Sequence, residues 1–225
     1  MDGTLLDFVA SERCALKKVF ALHGFELSDE DADVYSKIND SYWTKFDNGE
    51  IEKGEIYSSR FRDFYEYIAP GREDMPDWRK INEDYQVFLG EFCFFKEDSL
   101  KVVTELRGNF RQYIVTNGSV AAQVGRLKLS GFDKLMDGIF ISEEMGQQKP
   151  NAGFFDACFE KLPECSRDET IIIGDSLTSD IQGGNNAGIM TCWYNPDGKP
   201  RNKDVKIDYE IRSLHEVYGV LGYEK

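Results

Sequence analysis

Thr170-Ile171-Ile172-Ile173-Gly174-Asp175-Ser176-Leu177-Thr178-Ser179-Asp180 is an apolar, β-branched run that stops at a glycine and is followed by two carboxylates five residues apart. A strand covered on both faces shows continuous apolar residues instead of alternation, so the run predicts a buried strand of a parallel sheet. In open parallel sheets ligands gather beyond the carboxyl ends of the strands, which puts Asp175 and Asp180 at a binding edge. Two carboxylates with no His or Cys neighbour suit a hard, oxygen-seeking cation, most simply Mg2+ shared with a phosphate. The same residues also read as a helix cap (Asp175) and a solvated first-turn acid (Asp180), and the stretch alone leaves both readings open.

Around this stretch, single strands and single helices alternate. Leu100, Val103 and Leu106 mark a helix ended by Gly108, and Tyr113-Ile114-Val115 is a short strand running into Thr116-Asn117-Gly118. Val120, Val124 and Leu127 give the next helical stripe, Ile139-Phe140-Ile141 the next strand, and a loop with Lys149-Pro150 leads into a helix carrying Phe154, Phe155, Cys158 and Phe159. After the 170–173 strand come a helix from about Ser179, strands at 190–194 and 208–211, and a closing helix with Leu214, Val217 and Leu221. This order predicts an α/β fold with a Rossmann-like, doubly wound parallel sheet.

The N-terminal part differs. Apolar residues recur at helical spacing in four successive segments: Val9 to Phe20; Tyr35 to Phe46 after the capping box Ser28-Asp29-Glu30-Asp31; Tyr57 to Ile68; and Trp78 to Phe92 after Pro76. They predict an inserted all-α, four-helix domain over 8–95, with 1–7 and 96–225 forming the α/β core.

Composition narrows the function. At net charge −14 and an isoelectric point near 4.6, with Lys and Arg dispersed, the chain offers no polyanion face, and no nucleic-acid partner is expected. Its five cysteines are widely spaced without CxxC, which argues against a disulfide framework or a zinc site and suits a cytoplasmic protein. His23 and His215, the sole histidines, lie in helical patterns, so Ser-His-Asp or Cys-His chemistry has little support. No apolar run spans a bilayer, and no membrane partner is expected.

Taken singly, Asp2-Gly3-Thr4, Thr116-Asn117-Gly118 and Lys149-Pro150 are ordinary turn sequences. Their order, followed by strand-Gly174-Asp175 and then Asp180, places a hydroxyl, a cation and carboxylates on one sheet edge, a set suited to phosphoryl transfer. In this order the four clusters resemble the motifs of the haloacid dehalogenase-like hydrolases across essentially the whole chain. Leu6-Asp7-Phe8, Ile38-Asn39 with Trp43 and Phe46, Gly49-Glu50-Ile51, Gly146-Gln147-Gln148-Lys149-Pro150 and Gly174 to Gly184 are most similar to the noncanonical pyrimidine nucleotidase branch, which has a helical cap of the C1 type.

The resemblance implies an Mg2+-dependent phosphomonoesterase working through a phosphoaspartate. Its first motif is an apolar strand followed by Asp-x-Asp-Gly-Thr, whose first Asp is the nucleophile. Aligned here, Asp2 takes the general acid and base position and contributes a main-chain carbonyl to the metal, while the nucleophile and the first core strand fall before Met1 and are expected to be missing from the chain as given. Thr4, Thr116, Asn117, Gly118 and Lys149 are implied to hold phosphate, with Thr116 and Lys149 also catalytic, and Asp175 and Asp180 are implied to complete the Mg2+ site. In the cap, Asn39 and Trp43 are candidates for substrate contact, although aromatics at this spacing are as a rule helix-bundle core. The expected substrate is a small phosphorylated metabolite, a pyrimidine nucleoside monophosphate, and the expected assembly a monomer or homodimer. The rivals are a catalytically silent phosphate- and metal-binding protein, a sugar-phosphate phosphatase of the same fold, and a dehalogenase, against which the Asp175/Asp180 pair weighs.

Overall fold

The computed structural model describes residues 1–74 and 76–223. Met75, Glu224 and Lys225, which fall in the expected domain ranges, lie outside the described residues. Contacts divide the chain into two compact units: Phe8–Cys93 with Ala121–Leu129, and Met1–Asp7 with Phe94–Val120 and Ser130–Lys225.

The first unit holds α1 (Phe8–Ala21), α2 (Asp29–Asp47), α3 (Lys53–Ile68) and α4 (Trp78–Leu89). The box at Ser28 forms as its spacing predicts: Asp31 N donates to Ser28 Oγ (3.1 Å) and Ser28 N to Asp31 Oδ2 (2.8 Å), which satisfies two otherwise orphaned donors at the start of α2. The helical stripes meet in an aromatic core. Tyr35 stacks on Phe61 at 5.5 Å, and Phe20 and Tyr85 approach Phe64 and Phe61 edge-on at 5.2 and 5.3 Å.

Ala121–Leu129 carries a finding that the sequence pattern did not give. This segment is the interior of α6 (Val120–Ser130), and of the expected apolar stripe Leu127 is buried, with Ala122, Gln123 and Arg126, whereas Val124 is 38% exposed. Small residues also make a contact of their own. A Cβ on Gly125 would lie 2.3 Å from Gly90 O, so two backbones touch where neither residue has a side chain.

The second unit contains α5 (Ser99–Leu106), β1 (Tyr113–Thr116), α7 (Phe132–Leu135), β2 (Gly138–Ile141), α8 (Ser142–Met145), α9 (Ala152–Glu160), β3 (Ile171–Gly174), α10 (Gln182–Ala187), β4 (Met190–Tyr194), β5 (Tyr209–Ile211) and α11 (Val217–Val220). The pairings among these five strands are parallel. β1 pairs with β2, with Ile114 opposite Ile139, whereas β3, β4 and β5 pair in that order, with Ile172 opposite Thr191. Ile171 and Ile173 pack with Val102, Leu106, Leu214 and Val217 on one face, and Ile172 packs with Phe155 and Cys158 on the other. This two-sided cover is the physical reason that the strand shows no polar alternation.

The helix expected from Ser179 begins instead with a wide turn, Leu177–Ile181, in which Asp180 N and Ile181 N both donate to Ser176 O (3.0 and 3.1 Å). Widened turns of this kind concentrate at functional positions. Here the turn allows the Asp180 carboxylate to fold back toward the strand ends.

Candidate active site

The predicted core residues meet at the carboxyl ends of β1 and β3. From the loop after β1, Asn117 Nδ2 donates to Lys149 O (2.8 Å) and Lys149 N donates to Asn117 Oδ1 (3.0 Å). This reciprocal pair locks the Lys149 loop to the end of β1. It leaves the lysine side chain buried, with Nζ 2.5 Å from Asp180 Oδ1 and 3.4 Å from Val115 O. Ser176 N donates to Asp180 Oδ2 (3.2 Å), so both carboxylate oxygens of Asp180 are engaged. Gly118 N donates to Thr116 Oγ1 (3.2 Å) in a tight turn at the same edge.

Residues 1–7 form a compact loop. Met1 O accepts from Leu5 N (2.8 Å) and Leu6 N (3.1 Å), and Gly3 N donates to Leu6 O (2.9 Å). Buried Thr4 donates from Oγ1 to Asp175 Oδ1 (2.8 Å), which places Thr4 on a carboxylate, whereas the resemblance implied a phosphate contact. Gly3 has φ +74°, and a Cβ there would fall 2.3 Å from Asp175 Oδ2, so glycine permits both the turn and the close approach. Gly174 serves Asp180 in the same way, with a Cβ position 2.3 Å from the Asp180 carboxyl carbon.

The two carboxylates differ electrostatically. Burial, followed by the charge of Asp180, raises the Asp175 pKa against the pull of the Thr4 hydrogen bond. Burial also works to raise Asp180, but the Lys149 ammonium leads a set of opposing interactions that hold it below the usual carboxylate range. A half-buried carboxylate pressed against a second one, with oxygen atoms as the available donors, fits a hard dication. Among the described residues no three His, Cys, Asp or Glu side chains converge as a metal cage.

Trp193 is the contact that sequence reading missed: its Nε1 donates to Asp175 O (3.0 Å) and fixes the backbone that presents the carboxylate. Its signal is weak, a Trp near the end of a strand that looks like core. His215 pairs instead with Asp98 (2.7 Å).

The two substrate candidates lie in the helical unit. The structure corrects the expectation for Asn39, which is fully buried, donates from Nδ2 to Glu12 Oε1 (2.8 Å) and accepts at Oδ1 from Arg60 Nη1 (2.8 Å). Arg60 also donates to Asn82 Oδ1 (2.7 Å), and Ser36 donates to Glu12. Asn39 is therefore the neutral link between a buried acid and a buried guanidinium. Neither Asn39 nor Glu12 was legible as such, because nothing in helical spacing distinguishes a buried polar pair from a solvated face. Trp43 packs edge-on against Phe46 at 5.7 Å, within a cluster that includes Tyr42 and Ile56.

Comparison with known proteins agrees with this geometry. The chain is 37% identical to the putative HAD-hydrolase YfnB of Bacillus subtilis, covering 100% of this chain and 94% of that protein. It superposes on the YfnB crystal structure, described as bound to magnesium, with a TM-score of 0.91 and 38% identity over 98% of this chain and 95% of that one. It is 34% identical to the pyrimidine 5'-nucleotidase PynA of Streptococcus pneumoniae, covering 98% of this chain and 92% of that protein. With the pyrimidine 5'-nucleotidase YjjG of Escherichia coli it shares 31% identity, over 98% of this chain and 94% of that protein. Residues 1–194 match the haloacid dehalogenase-like hydrolase family, and the chain, a hydrolase with an α/β core, belongs to it.

Proposed function

We propose that the protein is an Mg2+-dependent phosphomonoesterase acting on small pyrimidine nucleoside monophosphates through an aspartyl-phosphate, with the helical unit as its cap. The observation that carries this reading is the chain of contacts joining four separate loops at the carboxyl ends of β1 and β3: Thr4 to Asp175, Lys149 to Asp180, and Asn117 to Lys149. The names of PynA and YjjG support the nucleotide class.

In this reading Thr116 Oγ and the amides of Asn117 and Gly118 hold the phosphoryl oxygens, preorganised where negative charge spreads in the transition state. Lys149 supplies a compact positive charge that Asp180 keeps in place. By resemblance to the family, the first Asp of the Asp-x-Asp-Gly-Thr motif attacks phosphorus as the P–O bond to the nucleoside breaks, and Asp2 gives its proton to the leaving alkoxide. Asp2 then takes a proton from the water that attacks the acyl phosphate, which releases phosphate and restores both carboxyl groups. Asp175, the main-chain carbonyl of Asp2 and Asp180, directly or through water, would hold Mg2+, which supplies neutralisation of the phosphoryl charge.

The test is phosphate release from nucleoside monophosphates and p-nitrophenyl phosphate by the protein and its variants, with Mg2+ and with chelator. Turnover is expected only with Mg2+, and not at all for the Asp175→Asn variant. Full activity of Asp175→Asn in the presence of chelator would refute the metal assignment. Unimpaired turnover by Asp2→Asn would refute the role given to Asp2.

A further inference from the structure

The turn after β1 is tied down at both of its ends within the sheet unit. Thr116, its first residue, stands opposite Ile141 in the β1–β2 ladder, and Asn117 exchanges side-chain and backbone bonds with Lys149 (2.8 and 3.0 Å). The far end of the turn is Val120, the first residue of α6, whose N donates to Glu143 Oε2 (2.8 Å). Glu143 belongs to α8 and lies two positions past Ile141, so it leaves the sheet at the same carboxyl edge as Gly118, two positions past Thr116. The proposed reaction gives this carboxylate no part.

Its place in the turn has a chemical consequence. The first amides of a helix are donors without intrahelical partners and carry the positive end of its dipole, and α6, 11 residues long, begins directly behind Asn117 and Gly118. An anion that reaches such an end is drawn toward the helix axis. Glu143 supplies an internal anion instead, and its charge-assisted bond to Val120 N satisfies one of these donors and offsets part of the dipole. A phosphoryl group is then left to the Thr116-Asn117-Gly118 turn. That turn cannot swing, because the chain on either side of it is bonded to another loop, at Lys149 and at Glu143.

We propose that Glu143 is a positioning residue for phosphoryl transfer, which occupies the N-terminus of α6 and so confines the transferring group to the 116–118 turn. This role rests on the phosphomonoesterase reading. Glu143 acts through Val120 N and the turn rather than by touching the substrate. Its charge weakens ground-state attraction for phosphate, whereas its bond keeps the donors aligned with the charge that spreads in the transition state. The two effects have opposite signs, so substitution separates them.

The experiment measures turnover of p-nitrophenyl phosphate with Mg2+, the dissociation constant of inorganic phosphate by calorimetry, and hydrogen exchange at the Val120 amide, for the parent and for Glu143→Gln, Glu143→Asp and Glu143→Ala. Glutamine keeps an acceptor within reach and drops the charge. Its kcat is expected to stay close to the parent's, with phosphate bound about 2- to 5-fold tighter, the effect of removing one exposed charge from a helix end. Aspartate keeps the charge but is one methylene short, and alanine keeps neither charge nor acceptor. Both are expected to speed exchange at Val120 and to lower kcat by about 10- to 100-fold, the cost of misaligned reacting groups. In Glu143→Ala the emptied helix end still attracts phosphate, so KM is not expected to rise as kcat falls. A general loss of structure would instead weaken phosphate binding and kcat together and lower the melting midpoint. Parental kcat in Glu143→Asp and Glu143→Ala, or a loss in Glu143→Gln equal to that in Glu143→Ala, would overturn the proposal. A parent that neither binds phosphate nor turns over substrate would sink the phosphomonoesterase reading and this role with it. A parent that does both, matched by all three variants, would sink the role of Glu143 alone.

Discussion

Replacing Glu12 by glutamine is expected to stabilise the protein at neutral pH and to leave it unchanged in mild acid. Glu12 is buried on α1, where burial pushes its pKa from 4.5 up to about 7, with Asp40 adding to the shift and Ser36, Arg60 and Asn39 opposing it. The sign follows from linkage. Between pH 4.5 and about 7 the folded protein keeps a proton that the unfolded chain has already released, so stability falls as pH rises through this window and is level above it. The difference of about 2.5 pH units, at about 1.4 kcal/mol each, amounts to about 3 kcal/mol of stability absent above neutrality. Glutamine mimics the protonated acid, still accepts from Asn39 Nδ2 and carries no charge. Glu12→Gln should therefore match the parent near pH 4.5 and exceed it by about 3 kcal/mol at pH 8, a rise in melting midpoint of roughly 6–12 °C. Urea or thermal unfolding of both proteins across pH 4.5 to 8 measures the difference, and subtraction removes the titration of every other group. A difference that is constant with pH, or a variant weaker than its parent at pH 8, would refute the argument.

Lys149→Met should destabilise the sheet unit by about 3–5 kcal/mol, because it leaves Asp180 buried without its cation. Adding Asp180→Asn to that variant should recover much of the loss in denaturant unfolding; a double variant no better than the single one would show that the pair is not the cause. Gly125→Ala should cost about 1–3 kcal/mol through overpacking against Gly90, whereas Val124→Ala on the exposed face should change stability by less than about 0.5 kcal/mol. Similar losses for the two would mean that the contact face of α6 is not the glycine face.

The sequence determined a good deal by itself. Periodicity located the strands at 113, 139, 171, 190 and 209 to within a residue or two and the helices of the helical unit to within about four, because burial on one face of a helix or both faces of a strand constrains residue type directly. The order of short polar clusters after those strands identified the Asp175, Asp180, Lys149 and Thr116 edge, since strand order and the parallel connection rule bring carboxyl ends together whatever the side chains do. What only the tertiary structure decided concerns partners rather than positions. That Asp180 takes Lys149 while Asp175 takes Thr4, that Trp193 holds the backbone of Asp175, and that Asn39 links Glu12 to Arg60 all depend on groups far apart in sequence. That Gly125 of α6 packs against Gly90, far from it in sequence, and that Arg126 and Gln123 are buried beside Leu127 while Val124 is exposed, could not be read from the apolar stripe. Residue spacing records which side chains are buried on average; it holds no record of which buried polar group meets which, because that pairing is fixed by distances that exist only after the chain has closed on itself.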